Sequence, residues 1–194
     1  MKKILLFILL FSTLVGAQPA KQTEEAHNQL RTMKDQCVKS LNAGDFDSVI
    51  HLADEEVLFT AMDSRLAHGR AELKAYLEKM TKGPDKVVES FQTEVEVDRL
   101  TTLYGPDFGV ASGTSLSHYK LTDGSDFAIK NRWTATVVHK NGQWLLASFH
   151  SSANVFDNPI LDLAKKYAMR LALGSGLIGL LLGLLVGRLM GRKS

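Results

Sequence analysis

Few side chains in this 194-residue sequence have chemistry to offer, and a stretch near its end, ASFHSSANVFDNPI (147–160), holds three of them. An apolar run stops at Phe149 and gives way to His150, Ser151 and Ser152. An imidazole at that point can orient a ligand or exchange a proton near neutral pH. Equally, the three polar residues can satisfy backbone groups where a strand ends. The serines lack the glycine pattern of a nucleophile elbow, which argues against serine catalysis. The six histidines, at 27, 51, 68, 118, 139 and 150, show no close metal-ligand spacing, so no metal is expected. No other cofactor is expected either. Cys37 is the single cysteine and allows no internal disulfide; it recurs with apolar helix positions and reads as a small core residue. Asp63 sits in a turn, where local hydrogen bonding is its ordinary role. Tyr76, Tyr104 and Tyr119 are candidate donors that also fit helix or strand faces. Lys130 and Arg132 share one sheet face and read as a solvated or dimer-facing surface.

The elements that must position these residues follow from periodicity. Ala26, Leu30, Met33, Cys37 and Leu41 recur at three- and four-residue steps and predict a helix over 23–43, closed at Gly44. Asp45 caps a second short helix with Phe46, Val49, Ile50 and Ala53 inward. Val57-Leu58-Phe59-Thr60 predicts a strand within 56–62, Asp63-Ser64-Arg65 a turn, and 70–80 a third helix on Leu73, Tyr76, Leu77 and Met80. Strands are then expected over 91–103, 108–120, 127–140 and 143–151.

Asn141-Gly142 between the last two is a strong hairpin signal, because both residues tolerate positive φ. A two-residue turn pairs Lys140 with Gln143. Continued without a bulge, that register sets Val137 opposite Leu146, Ala135 opposite Ser148 and Trp133 opposite His150. Asn131, Trp133, Ser148 and His150 would then share one sheet face.

The stretches LNAGDFDSVIHLADEEVLFTAMDSRLAHGRAELKAYL (41–77) and RWTATVVHKNGQWLLASFHSS (132–152) resemble, respectively, the helical half and the closing hairpin of the nuclear transport factor 2-like superfamily, SnoaL-like branch. Together they frame most of 23–155. The resemblance implies an α+β fold: three N-terminal helices against a curved antiparallel sheet, shaped as a cone with a pocket and frequently dimeric. Its implied pocket residues are Phe59, Tyr76, Asn131, Trp133, Ser148 and His150. The superfamily contains isomerases, cyclases, dehydratases, binding proteins and adaptors, so fold alone does not select a function. No residue matches a steroid-isomerase-type carboxylate site one for one, and no catalytic residue is assigned.

The two ends bear on location. Residues 1–17, MKKILLFILLFSTLVGA, have the charged start, short apolar core and small-residue finish of a secretory signal. Residues 171–190, LALGSGLIGLLLGLLVGRLM, form an apolar stretch of 20 with one charge, enough to span a hydrocarbon core of about 30 Å. Ser175, Gly179, Gly183 and Gly187 recur every fourth residue there, a spacing that lets two helices approach closely. Asn158 and Pro159 start a helix that leads through 158–170 toward the span, with Tyr167 and the lysines at headgroup level and only a few residues between domain and lipid. Residues 191–194 form a basic tail. Of the chain's charges, 15 basic and 21 acidic residues fall within 18–164, a net −6 against +2 for the whole. A nucleic-acid partner is therefore not expected.

The expectation is a single-pass protein of a bacterial inner membrane, its domain (18–157) extracytoplasmic and its C-terminus cytoplasmic. Three functions stay open: binding of a small amphipathic or lipid-derived ligand with or without homodimerisation; metal-independent isomerase, cyclase or dehydratase chemistry; and a structural envelope role.

Overall fold

A computed structural model describes residues 18–191; the secretory-type segment 1–17 and residues 192–194 of the basic tail lie outside the described residues. The helices are α1 (Gln18–Ala43), α2 (Phe46–His51), α3 (Gly69–Thr81) and α4 (Pro159–Gly191). The strands are β1 (Ala53–Thr60), β2 (Leu66–His68), β3 (Val88–Val97), β4 (Thr102–Leu103), β5 (Phe108–Leu121), β6 (Asp126–Lys140) and β7 (Gln143–Ala153). They form one curved sheet in the order β2-β1-β7-β6-β5-β3, with β4 also paired to β5. The α+β class and the three helices against a curved sheet agree with the sequence reading. The sheet is mixed, because β1 runs parallel to β7.

Local chemistry explains the junctions. Asp45 caps α2 through its carboxylate, which accepts from the Ser48 amide at 3.2 Å and the Ser48 hydroxyl at 2.6 Å. Ala53 begins β1 rather than ending α2, because pairing opposite Leu146 recruits it into the sheet. β2 was not foreseen; the turn after Ala61 folds it back antiparallel on β1. The strand expected over 91–103 divides into β3 and β4. Asp98 ends the first part, its carboxylate gripped by Arg132 at 2.6 and 2.9 Å and by the Ser112 hydroxyl at 2.8 Å. Asn141 (φ 53°) and Gly142 (φ 78°) make the tight turn between β6 and β7, as their sequence demands.

Two apolar clusters hold the layers together. Val57, Ala53, Ala67 and Leu73 join α3 to β1 and β2, while Leu30 of α1 packs on Val137 and Trp144. At the free edge of the sheet, the Asn42 side chain bonds the Thr93 backbone in both directions, at 2.8 and 2.9 Å. That contact ties the end of α1 to β3 and covers an exposed strand edge.

One ion pair links distant parts of the sheet. Asp54 is 6% exposed and its Oδ2 accepts from Lys140 Nζ at 2.6 Å, while Oδ1 accepts from the Glu56 amide at 3.1 Å. The Lys140 hydrogen bond holds this carboxyl below its ordinary value, against the opposite pull of desolvation. An unfolded carboxyl titrates near ~3.9. Because the folded value is lower, the stabilisation is complete above that pH and is lost as pH falls through the folded value. Lys140→Met is expected to cost about 1–2 kcal/mol at pH 7, less than a fully buried pair because Lys140 is half exposed. The gap from wild type in thermal unfolding should narrow below about pH 4.

α4 is one unbroken helix. Its stretch Pro159–Arg188 is long and apolar enough to cross a membrane, and none of its most apolar window is buried inside the protein. Asn158 caps it, accepting from the Leu161 amide at 3.0 Å. Ser175, Gly179, Gly183 and Gly187 lie exposed along it. Pro159 to Arg170, the stretch expected to lead toward the span, are helical and rise about 18 Å.

Candidate functional site

The concave face of the sheet and the three N-terminal helices border a cavity of about 1150 Å³ that is partly open to solvent. Phe59 from β1, Tyr76 from α3, Asn131 and Trp133 from β6 all lie in its wall. Ser148 and His150 do not, and the reason is a single extra residue. The hairpin register runs as the turn dictates from Lys140–Gln143 to Val137–Leu146, then slips so that Thr136 faces Ser148, Ala135 faces Phe149 and Trp133 faces Ser151. A bulge at Ala147 accounts for the slip. It falls where β1 also breaks its regular pairing with β7, so the bend belongs to the curvature that closes the cone. One residue of slip exchanges the two faces of a strand. Phe149 and Ser151 therefore face the cavity, while Ser148 pairs on the convex side and His150 is exposed there, opposite Thr134. The polar strand end divides its duties: Ser151 belongs to the cavity wall, and His150 and Ser152 to the outer surface.

Sequence reading missed much of the β5 contribution. Ala111, Gly113, Ser115 and Ser117 occupy every second position, and the first, third and fourth line the cavity before Tyr119 closes its end. Small residues at period two on one face were the available signal, since they leave volume where a core would place Val or Ile. Gly113 itself is covered by the Trp133 indole.

Aromatic rings form a connected wall. Phe59 stacks on Phe149 with centroids 5.4 Å apart and an interplanar angle of 11°. Phe149 meets Trp133 at 6.1 Å and 20°, and Phe59 meets Tyr76 at 5.9 Å. A second set joins Phe91 to Tyr119 at 5.1 Å. Among the polar wall groups, the Thr93 and Ser117 hydroxyls bond each other at 2.8 Å. Asn131 Oδ1 and Trp133 Nε1 are buried with no hydrogen-bond partner. Leaving each unpaired costs about 1–3 kcal/mol, which marks this part of the wall as unusual.

Partial burial sets the ionisation of three wall groups. It pushes the Tyr76 and Tyr119 phenols up to about 12 and the Cys37 thiol up to about 11, so all three stay protonated at neutral pH. Asp63, also in the wall, accepts from the Arg65 amide at 3.2 Å and pairs with Arg65 Nε at 3.2 Å. Among the described residues, no three His, Cys, Asp or Glu side chains gather as a metal site would require.

Solved structures with this architecture span several names. A scytalone dehydratase-like protein from Novosphingobium aromaticivorans is 14% identical with a TM-score of 0.62, covering 70% of this chain and 89% of that one. A ketosteroid isomerase-like protein from Erwinia carotovora atroseptica is 14% identical with a TM-score of 0.59, covering 66% and 96%. The association domain of C. elegans CaMKII is 15% identical with a TM-score of 0.52, covering 69% and 98%. At these identities the likeness is one of fold. No curated protein sequence matches the chain. A family model, that of the calcium/calmodulin dependent protein kinase II association domain, matches residues 26–155, and with the cone-shaped sheet and helices described above the chain belongs to that family within the nuclear transport factor 2-like superfamily.

Proposed function

We propose that this protein is a membrane-tethered extracytoplasmic domain whose cavity holds a small amphipathic ligand. The observation that carries the reading is the cavity of about 1150 Å³ with the connected rings of Tyr76, Phe59, Phe149 and Trp133 along its wall. A filled structural core would not leave that volume. Tethering rests on α4, and export on the signal-like residues 1–17. Self-association is part of the proposal. The family is named for association, and the exposed small residues of α4 offer a second route to it.

Acid–base catalysis of the isomerase or dehydratase kind is the second reading, favoured by Asp63 standing in the same wall as the protonated Tyr76. Asp63 is already engaged by the Arg65 amide and Nε, each at 3.2 Å, so its carboxylate is not free to meet a substrate. Binding is therefore the better-supported function.

The two tryptophans provide the test. Trp144→Phe leaves Trp133 as the sole reporter in the wall. Dodecanol added to the full-length chain in nanodiscs should shift Trp133 emission to the blue and saturate near one equivalent. Ser151→Phe, which fills the space beside Trp133, should abolish the shift while circular dichroism stays unchanged. An identical response in that variant would mean that the probe senses bilayer and not cavity.

A further inference from the structure

Resting on the ligand-binding reading above, we infer that the cavity takes an acidic amphiphile, its anionic head held between Arg31 and Arg99 and its apolar body laid along the ring wall. The sheet register places that mouth. Asn42, at the end of α1, bonds the Thr93 backbone of β3, and Thr93 stands opposite Ser117. Earlier in α1, Leu30 packs with Val137 and Leu103, and Gly109 stands opposite both of these. α1 therefore runs back along β3 toward the 98–101 connection into β4, which brings Arg31 and Arg99 to the same end.

Three features of this end call for an anion. His27, Arg31 and Lys34 recur at four- and three-residue steps on one stripe of α1, and all border the cavity together with Arg99. Among the described residues, neither Arg31 nor Arg99 has a carboxylate in ion-pair contact, whereas Arg65 and Arg132 are paired with Asp63 and Asp98. Arg31 donates to the neutral Asn28 Oδ1, and Lys34 is engaged by Asp35 at 2.7 Å. Apolar surface lies open beside the two arginines, with Val97 41% and Leu100 57% exposed. Unpaired guanidinium groups beside open apolar surface complement a ligand that joins negative charge to an apolar body. The sign is local, because residues 18–164 carry a net −6.

The rest of the lining offers the head no second place. Lys82 and Glu89 are paired, with Glu78 at 3.3 Å and Lys120 at 3.2 Å. Glu96 alternates with Val95 and Val97 and so turns toward the convex face. A charged head among the rings would lose its hydration without a countercharge, whereas at the mouth it keeps part of its water. Val97 stands opposite Gly113 and Gly113 opposite Trp133, so the ring wall begins two strands, about 10 Å, in from β3. An apolar body of about that length joins head to wall.

The test uses the full-length Trp144→Phe chain in phosphatidylcholine nanodiscs. Dodecanesulfonate, dodecyltrimethylammonium and dodecanol are each read by Trp133 fluorescence against the Ser151→Phe control. The sulfonate should bind at least about tenfold more tightly than the ammonium of the same chain length, a charge-assisted pairing being worth that much. Added salt should erode the preference. Arg31→Gln with Arg99→Gln, both at exposed positions, should lower the ratio of sulfonate to dodecanol affinity about tenfold. The wild-type comparison of the two charged probes stands by itself if the double variant does not fold. Soluble dioctanoylphosphatidylglycerol distinguishes the sources of such a head: its binding admits a phospholipid, its failure beside bound sulfonate assigns a single-chain acid, and both agree with the inference. Equal or tighter binding of the ammonium overturns it, as does a sulfonate-to-dodecanol ratio unmoved in a folded double variant. Saturable dodecanol binding with neither charged probe bound also overturns it, while sparing the amphipathic-ligand reading. Silence from every probe sinks that reading as well.

Discussion

Gly113→Ala is expected to lower the melting temperature by about 10 °C, a loss of about 3 kcal/mol or more for a chain of this size. A Cβ built at Gly113 would lie 1.9 Å from the Glu96 carbonyl oxygen and 2.5 Å from Trp133 Cζ2. These neighbours differ in how they can respond. The carbonyl belongs to β3, paired with β5 through Val97 opposite Gly113, so moving it means opening the ladder. The indole can move only by leaving Phe149, which breaks the aromatic wall. The methyl therefore damages both the sheet edge and the cavity. Gly109→Ala is the control. Its nearest atoms are the Thr101 and Leu103 side-chain methyls, at 2.8 and 3.0 Å, which can shift by small torsional changes. Paired thermal melts should show Gly113→Ala losing at least twice as much as Gly109→Ala. Equal losses would mean that the close approach of β3 at Gly113 is not a constraint on the fold.

What was legible in the sequence, and what was not, divides along the range of the interactions involved. The cap at Asp45, the Asn141-Gly142 turn and the apolar stripe of α1 are local, and each is written in adjacent residues. The start of β1 at Ala53 was not legible, because its partner Leu146 lies in the last strand. The break after Val97 depends on Arg132 and Ser112 reaching across from other strands. The bulge at Ala147 mattered most for the site. Nothing in Leu146-Ala147-Ser148 announces an extra residue; the need arises from curving β7 around the cavity while β1 departs from it. That one slip moved His150 and Ser148 to the convex face and brought Phe149 and Ser151 inside, whereas Asn131 and Trp133, nearer the start of β6 and grouped by alternation along it, lie on the concave face that the resemblance implied. A period-two argument survives until the first bulge and inverts beyond it.

A chain ending at Asp157 is expected to leave the membrane fraction completely and remain folded in solution, and the molecule's single cysteine lets the same system test its orientation. α4 meets the sheet at β6, and the link before it is fixed where Asn158 Nδ2 donates to the Asn154 carbonyl at 2.7 Å and the Phe156 amide donates to Asn154 Oδ1 at 3.0 Å. Beyond that knot its leucines are well exposed, Leu177 and Leu180 each at 61%, so removing the helix takes little from the core. Burying such a stretch in a bilayer is effectively irreversible, and its loss should convert an integral protein into a soluble one. Extraction by high salt or carbonate from the full-length form would contradict a spanning helix. Burial holds the Cys37 thiol protonated, with its pKa pushed up to about 11, so it should react slowly with maleimides and give a quiet background. Gln143→Cys, exposed at the hairpin tip, should then be labelled by an impermeant maleimide added to intact spheroplasts, and Ser194→Cys only after lysis. The reverse pattern would put the domain in the cytoplasm and with it the cavity, leaving residues 1–17 without an export role.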